Sequence, residues 1–329
     1  MTINFKNVYL NASSTVTGSL EKEGPLGEYF DLTYKDAYLG EKTWELAEQK
    51  FLTNSIDLLL NKLNKTRFDI DLLISGDLLN QITPSNYTAS FLGIPYLGIY
   101  AACAISAESL IIGASLIDNK QIRNCICATS SHNASAEKQF RYPTEYGCPK
   151  PKISTFTATG GASAYLSSKK DKIKIESGTI GRVIDLGIKD AFNMGAAMAP
   201  AAANTIFTHL EDTGRNVDYY DLIVTGDLGE YGKKILIDYM NEEYGIKLNN
   251  HEDCGLLLYD REKQPVFAGG SGPVCSTLVL YGYLISKMKK KQYKRILFVA
   301  TGALFSKDMV NQKQTIPAIA HAVSLEVVE

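Results

Sequence analysis

One stretch of this chain occurs twice, and the repeat limits the folds that the chain can adopt. The segment Asp71-Leu-Leu-Ile-Ser-Gly-Asp-Leu78 matches Asp221-Leu-Ile-Val-Thr-Gly-Asp-Leu228. A second match joins Arg123–Thr129 to Arg295–Thr301, and at the same separation Cys103 falls on Cys275. Matches that keep their order along the chain indicate two halves built on one plan.

The spacing of these matches places the boundary between the halves. We expect an N-terminal half at residues 1–168, with a loop insertion at 131–157. The C-terminal half then covers residues 169–329, with an insertion at about 231–267. The segment 131–157 is polar and aromatic without clear periodicity, and long loops in compact domains are usually functional or disordered.

Apolar patterning gives the fold class. The first 40 residues are polar and rich in turn signals, so we predict no regular element there. Beyond them, helical spacing alternates with short apolar runs, which is typical of an α/β fold with covered sheets. The predicted helices and buried strands of the first half are helix Thr43–Leu63, strand Asp69–Ser75, helix Tyr87–Leu92, strand Tyr96–Tyr100, helix Ser106–Ile117, and strands Arg123–Ser130 and Gly160–Ser167.

Composition excludes several classes of function. Apolar residues make up 45% of the 329 residues, charged residues 21%, and the formal net charge of -2 gives no reason to expect nucleic acid. We find no signal-peptide pattern at Met1, and no apolar run approaches the roughly 18 residues of a membrane span. The six cysteines lack metal-ligand spacing and are interpreted as reduced thiols of a soluble protein.

Cys103 is the first candidate site residue. It lies in Gly98-Ile-Tyr-Ala-Ala-Cys-Ala-Ile-Ser106, between the predicted strand and the predicted helix. The backbone N–H groups at a helix N-terminus stabilise a thiolate and lower the pKa of a thiol, so this is a position suited to a nucleophile. The same N–H groups also favour bound anions. A small residue packed in a tight turn is the alternative interpretation.

Longer strings identify a resemblance that covers nearly the whole chain. A cysteine at a strand-to-helix turn of a duplicated α/β fold resembles the thiolase and ketoacyl-synthase superfold. More specifically, the chain resembles the stage V sporulation protein AD family in these strings: Glu23-Gly-Pro-Leu-Gly27, Gly76-Asp-Leu-Leu-Asn-Gln81, Ala128-Thr-Ser-Ser-His-Asn-Ala134, Gln139-Phe-Arg-Tyr-Pro-Thr-Glu-Tyr-Gly147, Gly181-Arg-Val-Ile-Asp-Leu-Gly187, Met198-Ala-Pro-Ala-Ala-Ala203, Gly269-Gly-Ser-Gly272 and Ile316-Pro-Ala-Ile-Ala-His321.

The resemblance implies a structure and a function. The superfold implies a thiolase-like, five-layer α-β-α-β-α arrangement with two mixed sheets, and a homodimer. The family implies a protein that binds dipicolinic acid (pyridine-2,6-dicarboxylate) and takes part in its uptake into the developing bacterial spore. It also implies partners among the sporulation membrane proteins, and hence a peripheral location at the spore inner membrane.

The sequence argues against an enzyme, although acyl transfer through Cys103 is the alternative. Thiolase-fold catalysis needs a histidine with a second histidine or an asparagine from the second half, to activate the thiol and hold the oxyanion. The expected histidine position has Gly226-Asp227, and the expected Cys-x-Gly position has Gly302 to Ser306. Of the histidines, we expect His209 to be a solvated helix residue, His321 a core residue and His251 a loop residue.

Loops after first-half strands, where ligands gather in layered α/β folds, supply the candidate ligand-binding residues. Dipicolinate is a flat aromatic dianion that requires donors, positive charge and an apolar slot. The predicted ligand-binding set, with Met198 from the second half, is Asp77, Cys103, Ser131, His132, Asn133, Arg141, Tyr142 and Met198.

Each of these residues also has a structural interpretation. Asp77 and Asp227 are compatible with helix N-caps, and the pair His132 and Asn133 with a closed turn. Arg141 is compatible with a solvated pair with Glu145, and Met198 with a core position. The lysines from Lys287 to Lys291 are expected to form a solvated helix end, with a membrane-surface contact as the alternative.

Asp77 is the awkward member of the ligand-binding set. A carboxylate beside a dianion is unfavourable unless it is protonated or bridged by a cation. We therefore expect no resident cofactor, but a calcium ion carried with dipicolinate would resolve the conflict if it contacted Asp77, because calcium prefers carboxylate oxygens.

Overall fold

The computed structural model describes residues 1–141 and 150–329. The strands are β1 Thr2–Asn4, β2 Tyr9–Thr17, β3 Leu32–Thr33, β4 Leu73–Gly76, β5 Tyr96–Gly98, β6 Asn124–Ser131, β7 Phe156–Thr157, β8 Gly160–Ser167, β9 Ile173–Thr179, β10 Leu222–Thr225, β11 His251–Asp253, β12 Gly270–Ser271, β13 Arg295–Ala303 and β14 Ala318–Val327.

The α-helices are α1 Ser19–Glu23, α2 Trp44–Leu63, α3 Thr83–Leu92, α4 Ile105–Asp118, α5 Asn133–Gln139, α6 Met194–Thr213, α7 Gly229–Tyr244, α8 Cys254–Leu258, α9 Pro273–Leu278, α10 Ile285–Lys289 and α11 Lys307–Asn311. A π-helical segment, Val279–Leu284, joins α9 to α10. Short 3-10 helices occupy Gly27–Tyr29, Arg67–Asp69, Asn80–Ile82 and Val217–Tyr219.

Both halves of the chain have the same strand order. In the first half β5, β4 and β6 are parallel neighbours, followed by antiparallel β8 and β2. In the second half β11, β10 and β13 are parallel neighbours, followed by antiparallel β14 and β9. Asp71 accepts a hydrogen bond from the N–H of Arg123, and Asp221 accepts one from the N–H of Arg295, each at 2.8 Å. The repeated segments therefore occupy equivalent places.

Helices separate and cover the two halves of the sheet. Helix α4 packs against β6 of the first half and against β13 and β14 of the second, and α9 packs against α4, β6 and β8. On the outside, α2 and α3 cover the first half while α6 and α7 cover the second. This is the expected five-layer order. The two expected sheets are continuous, because Tyr9 of β2 pairs with Lys174 of β9.

The N-terminal segment departs from expectation, because β2 is a central strand where we predicted no regular element. The residues between Tyr9 and Thr17 are rich in Ser and Thr, so the apolar pattern of the sequence does not indicate a strand there. The buried hydroxyl groups are satisfied inside the protein: Ser14 Oγ donates to the Ser55 carbonyl at 2.6 Å and lies 2.8 Å from Ser163 Oγ. Hydrogen bonding makes a polar strand compatible with the core.

The expected boundary at residue 168 and the expected insertions can be located in the fold. Residue 168 lies in the turn between β8 and β9. The described part of 131–157 contains α5 and β7, and residues 231–267 contain most of α7 together with β11 and α8. In strand order and connection, α7 and β11 are the counterparts of α3 and β5. The extra length of the second half therefore comes from a longer helix and from α8.

Candidate functional site

The strand that leads to Cys103 lies at the edge of the sheet. β5 pairs with β4 on one side, and Leu97 and Tyr100 are 42% and 50% exposed. The prediction of a buried strand at Tyr96–Tyr100 was therefore wrong, since an edge strand with large apolar residues resembles a buried one in sequence. The strand is followed by Ala102 at φ 50, a left-handed conformation that L-residues adopt at a cost. This sharp turn carries Cys103 to the start of α4.

A close backbone approach holds the turn in place. Gly302, in β13, packs so tightly on it that a Cβ atom at this position would lie 2.3 Å from the Ala101 carbonyl oxygen and 3.1 Å from Ala104 N. A glycine is required here because any side chain would displace the turn. The second half of the chain thus positions the cysteine of the first half.

Asp227 is the polar neighbour of Cys103. The thiol is hydrogen-bonded to the Asp227 carboxylate, which is 1% exposed. Three further donors reach that carboxylate: Thr301 Oγ1 at 2.8 Å, Ser271 Oγ at 3.0 Å and Gly272 N at 3.0 Å. Asp227 is not the N-cap of α7, because the Leu228 and Gly229 amides donate to Asp253 instead.

This pairing determines the ionisation of the thiol. Burial raises the pKa of the Cys103 thiol well above its usual value, and the neighbouring Asp227 raises it further. Arg141 and the Gly272 N–H act in the opposite direction but more weakly. The expectation that the helix N-terminus would lower this pKa was therefore wrong, because burial of the thiol and the neighbouring Asp227 carboxylate both disfavour the thiolate. Cys103 is a protonated thiol at neutral pH.

A cavity of about 400 Å³ opens over Cys103 and Asp227. Loops of both halves form its wall. Besides Cys103 and Asp227, the residues that line the cavity include Tyr100, Phe140, Arg141, Thr157, Met194, Met198, Phe305, Ser306, Lys307 and Asp308.

Two cations line this cavity. Arg141 donates to Thr157 Oγ1 at 2.6 Å and to Thr155 Oγ1 at 2.8 Å, so neutral hydroxyl groups orient its guanidinium. Lys307 is the first residue of α11, in the second half of the chain, and lines the same cavity as Cys103. Within residues 1–141 and 150–329, neither Arg141 nor Lys307 belongs to an ion pair. Both charges are available to an anionic ligand.

Apolar side chains form another part of the wall. The rings of Phe140 and Phe305 have centroids 6.2 Å apart, and Met194 and Met198 lie at the start of α6. Met198 is 1% exposed, so it combines the predicted core position with a place at the cavity. Cations beside aromatic and thioether groups suit a small flat anion.

The structure brings together three of the predicted ligand-binding residues, namely Cys103, Arg141 and Met198. Tyr142 and Glu145 lie outside the described residues. Asp77, Ser131, His132 and Asn133 are described and do not line this cavity.

Asp77 is committed to the backbone. It is fully buried, and its carboxylate accepts hydrogen bonds from Leu79 N and Ser85 N, both at 2.9 Å. Burial raises its pKa to about 6, and Glu48 is a buried acidic neighbour. The geometry therefore supports the capping interpretation of Asp77, and its contact with calcium stays a prediction. Within the two described ranges, no cluster of three His, Cys, Asp or Glu residues is arranged to hold a metal.

The residues of the loop after β6 also make hydrogen bonds inside the protein. Ser131 Oγ donates to the Ala158 carbonyl at 2.7 Å. His132 begins α5, accepting from Ala134 N through Nδ1 while its Nε2 lies 2.9 Å from the Ala37 carbonyl oxygen. Burial lowers the pKa of His132, so its imidazole is neutral. Asn133 donates its backbone N–H to Thr159 Oγ1 at 3.0 Å.

All four histidines of the chain are described, and none lines the cavity. The prediction of a solvated His209 was wrong: its side chain is buried, with Nδ1 2.7 Å from Thr179 Oγ1 and Nε2 2.5 Å from Tyr220 OH. His251 is in β11, 3.0 Å from Thr225 Oγ1, and not in a loop. His321 is a core residue, as predicted, and accepts from Gly181 N.

Sequence reasoning missed Lys307 and Phe305. These residues follow β13, and their place at the cavity depends on how the two halves pack. The signal available in the sequence was the repeat, since it placed the second-half segment around Ser306 near the Cys103 site.

Comparison with known proteins decides the family. The family model for stage V sporulation protein AD matches residues 1–326. Stage V sporulation protein AD of Bacillus subtilis (strain 168) is 46% identical over 319 residues, covering 97% of this chain and 94% of that protein. The chain belongs to the stage V sporulation protein AD family.

Solved structures confirm the fold of this family member as thiolase-like. A variant of OleA from Xanthomonas campestris superposes with a TM-score of 0.63 at 16% identity, covering 98% of this chain and 97% of that one. The 3-oxoacyl-[acyl-carrier-protein] synthase III of Aquifex aeolicus VF5 gives a TM-score of 0.55 at 14% identity, with 99% of each chain covered. At these identities the likeness establishes the fold alone.

The helices were also compared with the requirements of a membrane span. In the described part of this chain, none of the helices is at once long enough and apolar enough to cross a bilayer.

Proposed function

We propose that this protein is a non-catalytic dipicolinate-binding protein that acts in dipicolinate uptake into the developing spore. The observation that carries the proposal is a pair of cations, Arg141 and Lys307, that have no ion-pair partner among the described residues and line a cavity with aromatic and thioether walls. Charge-assisted hydrogen bonds from a guanidinium to a carboxylate are short and strong. Two cations on one small cavity match the two carboxylates of dipicolinate.

The chemistry of Cys103 supports binding over catalysis. A nucleophile needs a thiolate and a base, whereas the pKa of this thiol is raised and its partner is the Asp227 carboxylate. The four histidines are hydrogen-bonded elsewhere. Cys103 then serves as part of the cavity floor.

Calorimetric titration with dipicolinate tests the proposal. We expect saturable binding by the wild type, and binding weaker by roughly 10- to 100-fold in Arg141→Gln, because a hydrogen bond to a charged group is lost. Lys247→Gln removes an exposed lysine that does not line the cavity and is the matched control. A wild type that does not bind dipicolinate contradicts the proposal.

Calcium carried with dipicolinate is part of the same proposal, with the contact moved away from Asp77. Asp308 supplies carboxylate oxygens at the cavity wall and is not buried. Titration with calcium and with excess chelator distinguishes the two forms of the ligand. Equal affinity in both conditions excludes a bridging role for calcium.

The alternative function is acyl transfer through Cys103. It is favoured by the position of Cys103, at a sharp turn beneath a cavity in a thiolase-like fold. Exposure to acyl-CoA followed by peptide mass spectrometry tests it. An acyl adduct on Cys103 that is absent in Cys103→Ser supports transfer over binding.

We also propose a homodimer and a peripheral location at the spore inner membrane, beside the membrane proteins of the same uptake system. The exposed edge of β5 supports the dimer, because unpaired backbone groups on an edge strand favour pairing with another chain. Fractionation of sporulating cells tests the location. A peripheral protein should sediment with the membranes and be released from them by salt or alkali.

A further inference from the structure

One end of the large sheet carries a concentrated set of lysines. It comprises the turn before β9, the end of α10 and the start of β13. We call this surface the lysine end, and define it by its seven exposed lysines: Lys169, Lys170, Lys172, Lys289, Lys290, Lys291 and Lys294.

Backbone hydrogen bonds hold two of these segments together through β14. Val328 N donates to the Lys172 carbonyl at 2.9 Å, and Val327 N donates to the Lys294 carbonyl at 2.8 Å. The end of β14 therefore joins the turn before β9 to the start of β13. Between them lies a hollow of about 790 Å³, lined by Lys172, Lys289, Lys291 and Lys294 together with Tyr293, Glu326, Val327, Val328 and Glu329.

The charges of the lysine end are not neutralised locally. Within the described residues, none of its seven lysines forms an ion pair. The nearby carboxylates have other partners, since Glu326 pairs with Arg295 at 2.8 Å and Asp221 accepts from Lys294 N and Arg295 N. Asp171, in the turn before β9, accepts hydrogen bonds from Lys172 N and Asn11 Nδ2, and Glu329 adds an exposed side-chain carboxylate. Because the whole chain has a net charge of -2, this positive charge is segregated and not a general property.

We propose that the lysine end is the surface by which the protein docks on an anionic lipid bilayer, a proposal that rests on the peripheral location proposed above. Lysine ammonium groups on flexible stems suit a diffuse negative surface better than one rigid ligand. Each lysine close to an anionic bilayer strengthens partitioning by about fivefold, so seven on one end suffice for reversible binding.

Docking in this way sets the orientation of the cavity. Strand β13 begins at Arg295 beside the lysine end and ends at Ala303, which lines the candidate cavity. Its nine residues span about 26 Å at roughly 3.3 Å per residue. The cavity thus lies at the far end of the sheet, where it stays open to solvent and to ligand while the lysine end is on the membrane.

Co-flotation with vesicles tests the docking surface. The test protein is the triple variant Lys172→Gln, Lys289→Gln and Lys294→Gln. The matched control is Lys35→Gln, Lys42→Gln and Lys189→Gln, which removes three exposed lysines near the cavity end of the sheet. The vesicles are phosphatidylcholine alone or phosphatidylcholine with phosphatidylglycerol, at low and at near-physiological salt.

We expect the wild type and the control to bind the phosphatidylglycerol vesicles and to bind them more weakly as salt rises. The test variant should partition roughly 100-fold more weakly, at about fivefold for each lysine lost. Wild-type partitioning in the test variant, an equal loss in the control, or no binding by the wild type overturns the proposal. Dipicolinate titration of the same proteins keeps the two proposals separate, because a test variant that binds dipicolinate normally has an intact cavity.

Discussion

The Cys103 thiol and the Asp227 carboxylate are hydrogen-bonded to each other across the two halves of the fold. Asp227 is the repeat counterpart of Asp77, yet the two carboxylates have different partners. Asp77 caps two backbone amides inside its own half, whereas Asp227 turns towards the cavity because Asp253 has taken the amides at the start of α7. This local departure from the repeat is what gives the site its chemistry.

The pairing predicts slow alkylation of Cys103. Because burial and Asp227 raise the pKa of the thiol, the thiolate fraction at pH 8 is small and reaction with iodoacetamide should be slow. Asp227→Asn removes the negative charge, so we expect the pKa of the thiol to fall and the alkylation rate at pH 8 to rise. Peptide mass spectrometry of quenched time points measures the rate at Cys103.

Thr301→Val is a control for loss of packing around Asp227, because it removes a hydrogen bond to the carboxylate but keeps the charge. It should change the rate much less than Asp227→Asn does. Equal acceleration by both variants would mean that loosening of the site, and not the charge, controls the thiol.

Gly302→Ala tests the dependence of the Cys103 turn on β13. The added Cβ overlaps the Ala101 carbonyl oxygen, so the turn must move or the strand must shift. Overpacking of this kind costs about 1–3 kcal/mol in the free energy of unfolding. We expect a lower midpoint in urea unfolding, together with weaker dipicolinate binding measured well below that midpoint. If the variant were destabilised but bound dipicolinate normally, the position of the Cys103 turn would not control binding.

The sequence predicted the fold class and the repeat because both depend on local patterns. Buried runs such as Leu72–Ile74 and Leu222–Val224 are apolar and can be recognised from the sequence alone. Strand β2 was missed for the opposite reason. Its buried Ser and Thr residues form hydrogen bonds to partners far away in the chain, such as Ser55 and Ser163, and the sequence does not show these contacts.

The candidate site could be predicted only in part. Cys103 was placed by its strand-to-helix context, but the position of Asp77 at a strand end did not reveal that backbone amides occupy both of its oxygens. Lys307 reaches the cavity because α11 of the second half packs beside the Cys103 turn. A contact between halves is a property of packing, so a pattern within either half does not show it.

Leu97→Glu tests the proposed dimer at β5. Leu97 is 42% exposed on an edge strand, and in a two-fold pairing of this edge it lies close to its own copy. A glutamate there places two like charges together, so we expect the dimer dissociation constant to rise by at least about tenfold. Size-exclusion chromatography with light scattering measures the mass as the protein is diluted. Leu186→Glu changes another exposed leucine, which is 59% exposed, and is the matched control.

His209 makes the stability of the protein depend on pH. Its imidazole is buried between Thr179 and Tyr220, and burial, with a smaller effect of Arg215, lowers its pKa to about 4. Glu176 and Asp212 face it with the opposite but weaker influence. In the unfolded chain the pKa is about 6.5, so between pH 6.5 and 4 the unfolded state binds more protons than the native state. The contribution of His209 is therefore complete above pH 6.5 and decreases as the pH falls towards 4.

His209→Gln isolates this contribution, because glutamine keeps hydrogen-bonding groups but does not titrate. At pH 8 the neutral imidazole keeps its hydrogen bonds to Thr179 and Tyr220, so we expect the wild type to be more stable than the variant by about 1–3 kcal/mol. The difference should shrink below pH 6.5 by about 1.4 kcal/mol per pH unit, to a total of roughly 3 kcal/mol by pH 4. Urea unfolding at half-unit pH steps measures it. A difference that stays constant from pH 8 to pH 4.5 would mean that the native imidazole is protonated as readily as the unfolded one.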